Sequence, residues 1–399
     1  MKRIVISFLL ILFCFCKGER PCSHLDSSCT SLGYILPDLV LKSKNSSQTS
    51  GNSTGTTNTT SNVDQFVITA FGGPRDIIIN WAAQTGATSY KIYRKSSAGV
   101  TASDTEITNG GTTNLFFMET ALTTNDLRYY RVSYLKNGIE TFSKEVSANA
   151  NLTNLGLFLK ADSINQADNT QVTTWSDSSG NGYDATQGTG VNQPIFRTNA
   201  LNGLPVIRFD GTNDFLARTI ASPLLTNGTA LYNHTNFFVL KRNGIGNIQH
   251  IFILRQPIQT NGSNSNEFQF TADSSLLIGS SSIFGPLNDL FLTNTSDYFI
   301  FSWRISNATA NNYSSSYYRN GFLRLVHSIT TGTNYSTGSQ EFYIGRNSGP
   351  LGSPANQFNG DIAELIHYNR LMTETEHNQV VCYLSKKYNI ATTMLSCTN

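Results

Sequence analysis

Apolar and polar positions alternate along most of this chain, and that alternation predicts strands. Short runs at 65–71, 77–81, 89–94, 115–119, 129–135 and 141–147 show the two-residue period of a half-buried strand. Asn137-Gly138 lies between the last two, and an Asn-Gly pair accepts the positive φ values of a tight hairpin turn. Further on, Phe299, Phe301, Trp303 and Ile305 share one face of a strand, and Tyr298, Ile300, Ser302 and Arg304 share the other. Residues 317–324 read as a hairpin around Asn320-Gly321, and 237–242, 251–254, 268–270 and 342–344 add strands. Near the end the period becomes helical. Val380, Val381, Leu384 and Tyr388 form a stripe, Thr373 and Glu376 a capping box, and Lys386 and Lys387 suit a helix C-terminus. This helix is expected to close the edge of a sandwich. The pattern is all-β with one short C-terminal helix.

Two stretches depart from the alternation. Residues 4–16, IVISFLLILFCFC, form one apolar run behind Met1-Lys2-Arg3. It is shorter than the roughly 18 residues of a membrane span and has the layout of a signal peptide. Residues 43–63 are almost wholly Ser, Thr, Asn and Gly, which cannot bury a core and read as a linker. Between them, 17–42 form a segment with Cys22, Cys29 and one apolar patch. At 399 residues the chain is long enough for more than one folded unit, and the boundaries expected are 64–149 and 154–392. Lys plus Arg number 28 and Asp plus Glu 26, so no basic patch points to nucleic acid.

Some of these segments resemble known families. The cysteines that end the apolar run resemble the lipobox of a bacterial lipoprotein, in a loose spirochaete-like form, although Phe13 and Phe15 stand where a small residue is usual. Cys16 is favoured for lipidation because Lys17 and Gly18 begin the polar stretch, with Cys14 the alternative and plain secretory cleavage near Gly18 the third reading. Trp81, YKIYR at 90–94 and the hairpin through Asn137-Gly138 resemble a fibronectin type III domain, with Arg128 where that family carries its corner tyrosine. The motifs WSDSSGNGYDA at 175–185, NGLPVIRFDGTNDFL at 202–216 and GDIAELIHYNR at 360–370 resemble laminin-G-like jelly rolls of the concanavalin A-like lectin and glucanase superfamily. The resemblance implies a fibronectin type III-like sandwich followed by a jelly roll, on a surface or outer-membrane lipoprotein of the cell envelope, with a secreted protein as the alternative.

The chemistry legible in the residues is sparse. Four cysteines lie beyond the leader, and proximity favours Cys22–Cys29 and Cys382–Cys397 as disulfides. Glycan-cleaving relatives on the implied fold hold two carboxylates on one strand face in a Glu-x-Asp-x-(x)-Glu pattern. None occurs here, and the nearest pair, Asp361 and Glu364, has an odd offset expected to place them on opposite faces. No catalytic residue and no enzymatic activity are therefore expected. Asp177 and Asp210 are weak calcium candidates among Asp-, Asn- and Gly-rich turns, where side chains also bind loop backbone; no cofactor is otherwise implied. Tyr232, Tyr313, Tyr317 and Tyr335, in or beside Asn- and Ser-rich segments, are candidate rings for stacking on sugars. The expected function is binding of glycan or matrix protein, with membrane contact through a lipid anchor; a surface spacer or a glycan hydrolase are the alternatives.

Overall fold

Strands form where the apolar face of the alternation finds cover, and the computed structural model shows which faces those are. It describes residues 66–221, 233–245, 247–255, 265–270, 276–279, 295–309, 312–329, 339–347, 356–392, 394 and 397. The leader, its cysteines and the linker lie outside the described residues.

The first sandwich packs two sheets. One orders strands Ile68–Gly72, Ile77–Trp81 and Phe116–Glu119; the other orders Thr105–Glu106, Tyr90–Lys95, Arg128–Lys136 and Ile139–Phe142, with Val146–Ala148 also on Arg128–Lys136. Asn137 and Gly138 have φ of 52° and 78°, the left-handed values that their hairpin requires. Ile68, Ile77, Ile79, Trp81, Ile92, Tyr130 and Val132 fill the space between the sheets. Trp81 is therefore a core residue.

The second sandwich is larger. Among the described residues one sheet has nine strands, ordered Thr170–Gln171, Ile195–Leu201, Leu204–Asp210, Asn359–Tyr368, His234–Arg242, Phe299–Thr309, Asn312–Arg319 and Phe322–Ile329, with Leu155–Lys160 also pairing with Asn359–Tyr368. The facing sheet has seven: Thr174–Trp175, Ala185–Thr186, Leu216–Ile220, Gln340–Ile344, Gln249–Arg255, Ser265–Phe270 and Leu276–Gly279. Aromatic rings fill the gap: Phe238 stacks on Trp303 with centroids 5.1 Å apart, and Phe268 lies 4.8 Å from both. Each such ring, fully buried, contributes roughly 1.5–3 kcal/mol of apolar burial.

The helix Glu374–Tyr388 begins at the Thr373–Glu376 capping box and ends at Asn389, whose φ of 51° is left-handed. It covers the outer face of the nine-stranded sheet rather than a sandwich edge. The reason lies in the central strands: Phe237, Val239, Ile300, Ala363 and Ile366 present a second apolar face, and Val380, Val381, Leu384 and Tyr388 bury it. Phe71 and Ile78 of the first sandwich join the same cluster, so the two sandwiches share a seam within the unit Asn62–Asn399. Cys382 and Cys397 are joined as a disulfide across this region.

The register holds one surprise. Val239 pairs with Glu364 and Leu240 with Ile362, so Ala363 is an extra residue in a β-bulge. The bulge shifts parity by one. Asp361 and Glu364 therefore share the helix-covered face, and the expectation of opposite faces is corrected.

Candidate functional site

At one end of the second sandwich the connections after Leu204–Asp210, His234–Arg242 and Gln340–Ile344 meet. They tie to one another by hydrogen bonds. Asn359 N donates to Gln249 Oε1 at 3.2 Å, Gln249 Nε2 to Gly244 O at 3.1 Å, and Asn243 N to Asn359 O at 2.8 Å. His250 N donates to Asn356 O at 3.0 Å and Phe358 N to Gly345 O at 2.8 Å. Gly345 has φ of 90°, and a Cβ there would stand 2.5 Å from the Phe209 ring, so only glycine closes this end.

The loop after Asp210 braces itself with carboxylates. Asp210 Oδ1 accepts the backbone N–H groups of Thr212, Asn213 and Asp214 at 2.7, 3.1 and 3.3 Å. Asp214 Oδ2 accepts the Asp210 N–H at 2.9 Å. Asp214 is only 5% exposed. Burial, and then the adjacent Asp210 charge, push its carboxyl up to about 7. Asp214 thus keeps a proton close to neutrality.

Beside this loop lies an aromatic cluster. Arg346 places its guanidinium 4.3 Å from the Phe215 ring centroid and 5.4 Å from that of Tyr343, a cation–π arrangement. All three side chains are half-buried. Tyr343 Oη donates to Glu341 Oε2 at 3.1 Å. Ile245 and Ile248 stand out from the neighbouring loop, 54% and 36% exposed. Behind them Arg242 is only 3% exposed. Its guanidinium lies 4.8 Å over Phe270 and donates from Nη2 to Asn247 O at 3.2 Å, while Nε and Nη1 meet no acceptor among the described residues. Burial pulls Arg242 down to about 10.

Several residues singled out in the sequence fall elsewhere. Tyr317 is 1% exposed and stacks on Phe301 in the core at 6.2 Å, so it is not a loop ring open to a sugar; the in-facing parity that it shares with Trp303 buries it. Tyr232 and Tyr335, the Tyr313 side chain, and Cys14, Cys16, Cys22 and Cys29 lie outside the described residues. Asp177 is occupied by its own turn: Oδ1 accepts from Phe158 N and Ser179 N, and Oδ2 from Ser179 Oγ and Tyr183 N, at 2.7–3.1 Å. Asp210, as above, spends its Oδ1 on loop backbone. His367 is 1% exposed and pairs its Nδ1 with Asn236 Oδ1 at 2.8 Å, a structural role. Sequence reasoning missed Phe215, Tyr343, Arg346 and Arg242. For Arg242 a signal existed: the parity of Phe238 and Leu240 aims it into the gap between the sheets.

No protein-family model matches the chain, and no curated protein matches it. Solved structures similar to it include Trypanosoma rangeli sialidase in complex with 2,3-difluorosialic acid, 13% identical at a TM-score of 0.40 over 67% of this chain and 44% of that one. Domain 4 of a GH43 extracellular arabinanase from Geobacillus stearothermophilus, in complex with arabinotriose, is 14% identical at a TM-score of 0.37 over 57% of this chain and 98% of that one. An Fn3-like protein from Clostridium thermocellum is 25% identical at a TM-score of 0.18 over 21% of this chain and 93% of that one. The chain spans about half the length of the sialidase structures that it matches, 44% of one and 53% of another. The sialidase and the arabinanase are glycoside hydrolases, and the expectation of a chain without enzymatic activity is corrected accordingly. The search for alternating carboxylates along one strand also had a blind spot, because Asp210 and Asp214 meet within a loop.

Proposed function

We propose that the loop end of the larger sandwich binds glycan. The observation that carries this reading is the half-buried Phe215–Arg346–Tyr343 cluster at the end of the sandwich where loops expose Asn243 and Asn247. Half-buried rings offer apolar faces, and the amides beside them offer donors and acceptors for hydroxyls, the mixture that small-ligand sites use. In this reading the second sandwich is a laminin-G-like jelly roll over 154–392. The first is a fibronectin type III-like module over 64–149. Cys16 carries a lipid, and the linker 43–63 holds the protein off a bacterial envelope surface. Many displayed copies raise avidity where a single site is weak.

The test is a glycan array followed by calorimetry on the full chain. Phe215→Ala and Arg346→Ala are each expected to weaken the best ligand at least tenfold, about 1.4 kcal/mol. Unchanged affinity in both variants rejects this cluster as the site. Labelling cells with a palmitate analogue, with Cys16→Ser and Cys14→Ser as comparisons, tests the anchor; absence of label from the unchanged chain rejects it.

A second reading, glycoside hydrolysis at the same end, is favoured by one observation. Asp214, held protonated to about 7 beside Asp210, is the kind of group that donates a proton to a leaving sugar oxygen. A product assay on the best array ligand decides: sugar released by the unchanged chain and not by Asp214→Asn supports hydrolysis.

A further inference from the structure

A buried charge demands an opposite charge, because leaving water costs several kcal/mol per ion. Two buried carboxylates of the second sandwich keep this rule: Asp361 binds Arg208, with Nε to Oδ1 at 2.7 Å and Nη2 to Oδ2 at 2.9 Å, and Glu364 binds Lys387 at 2.7 Å. Arg242 breaks it. It is 3% exposed, and no carboxylate pairs with it among the described residues. Its fixed contacts are one carbonyl, Asn247 O, and one ring, Phe270. Nε and Nη1 have no acceptor among the described residues. A guanidinium does not lose its proton at physiological pH, so this charge cannot be relieved by titration. Phe270 and Asn247 hold the group in place with the N–H groups of two nitrogens to spare, at the end of the strand His234–Arg242 and beside the loop that carries Asn247.

We propose that Arg242 is the seat of one anionic group, a carboxylate carried by the sugar that docks on this end. The ligand class is thus an acidic glycan, one containing uronic or similar carboxyl-bearing units. Charge decides between carboxylate and phosphate. A single guanidinium balances a monoanion, whereas a dianion would leave excess negative charge in a low-dielectric site beside the Asp210 loop. Asn243 and Asn247 in the adjoining loop are exposed, and a charge-assisted hydrogen bond to a buried Arg is among the stronger polar contacts available. This inference rests on the glycan reading, and the experiment separates the two.

Calorimetry on the full chain compares trigalacturonate with its methyl ester, using the unchanged chain, Arg242→Met, Arg242→Lys and Arg346→Ala. The acid is expected to bind at least tenfold tighter than the ester. Arg242→Met abolishes that preference, Arg242→Lys retains part of it, and Arg346→Ala weakens both ligands together. Equal binding of acid and ester overturns the carboxylate seat and leaves the glycan reading standing. A second measurement follows the Arg242 Nε–H resonance, assigned by its loss in Arg242→Met, during titration with glucuronate. A saturable shift with no response across the glycan panel means that the anion seat stands and the glycan reading fails. An unmoved resonance overturns the seat whatever the panel gives.

Discussion

The helix-covered face of the nine-stranded sheet and the loop end of the same sandwich treat buried charge in opposite ways. Under the helix, Lys387 and Glu364 both have fully buried side chains 2.7 Å apart, Asp162 lies 3.0 Å from the same ammonium, and Tyr388 Oη donates to Glu364 Oε2 at 2.7 Å. Across the seam, Asp76 of the first sandwich receives Lys160 at 2.8 Å and Tyr383 Oη at 3.1 Å. Burial works against the Lys387 ammonium, but the surrounding Glu364, Asp162 and Asp76 carboxylates outweigh it and raise Lys387. Burial raises Glu364, and Lys387 only partly offsets it. At the loop end, Arg242 and Asp214 are buried with no counter-ion among the described residues. The seam pairs its ions, whereas the loop end keeps Arg242 charged without a carboxylate among the described residues and holds Asp214 on to its proton up to about pH 7. A buried charge without a partner is a candidate place for one supplied from outside.

The largest effect is expected at the seam. Lys387→Met leaves the buried Glu364 without its cation, near the partly exposed Asp162, and should cost roughly 3–5 kcal/mol, read by denaturant unfolding. Adding Glu364→Gln should recover part of the loss, because the amide oxygen can still accept from Tyr388. A loss under about 1 kcal/mol would mean that the seam does not depend on its ions. Next comes the disulfide. Cys382→Ser removes a closure of 15 residues, and chain entropy puts its loss at about 3 kcal/mol, read by the same unfolding curves. Little change would show that the helix holds the tail without it.

How far this contrast was legible in the sequence follows from its parts. Strand alternation found Ile77–Trp81 to the residue and the neighbouring strands to within a few, because local period and burial agree there. Residues 141–147 read as one strand, but they break where Ser143 turns its N–H to Val132 O and its Oγ to accept from Val132 N, leaving Ile139–Phe142 and Val146–Ala148. The helix was found through its capping box, while its place was missed, since covering a sheet face rather than an edge depends on which strands come to the centre. The bulge at Ala363 is a tertiary event with no local mark, so the shared face of Asp361 and Glu364 was hidden. The site suffered most. Tyr317 looked like a loop residue from the polar company around it, and strand parity placed it in the core. Phe215, Tyr343 and Arg346 come from two distant segments that only the sheet pairing of Leu216–Ile220 with Gln340–Ile344 brings together.

A smaller effect is expected at Asp214, and its sign depends on pH. The folded carboxyl titrates at about 7 against an ordinary 3.8, so the folded state holds a proton that the unfolded chain has released between those values. Stability therefore falls as pH rises from about 4 to about 7, and the full penalty persists above. Asp214→Asn keeps an acceptor for the Asp210 N–H and removes the penalty. It should match the unchanged chain near pH 4 and exceed it at pH 8, by roughly 2–4 °C in Tm per kcal/mol removed. A gain independent of pH would contradict the raised carboxyl.

The smallest change in stability is expected from the residue that looks most anomalous. Arg242→Met replaces a buried, unpaired guanidinium with an apolar chain of similar length over Phe270. Substituting well-packed apolar groups for buried ions is often neutral or stabilising, so the shift should stay within about 1 kcal/mol or favour the variant. Arg208→Met is the control on the same sheet. It strips two hydrogen bonds from Asp361, which is fully buried and keeps only Lys241 and Tyr298, and should cost about 2 kcal/mol. The two variants remove the same chemical group, so their difference isolates the partner. If Arg242→Met instead costs as much as Arg208→Met, then Arg242 already has a structural anion of its own. The loop end would then be sealed in the same way as the helix-covered face, and the contrast between them would collapse.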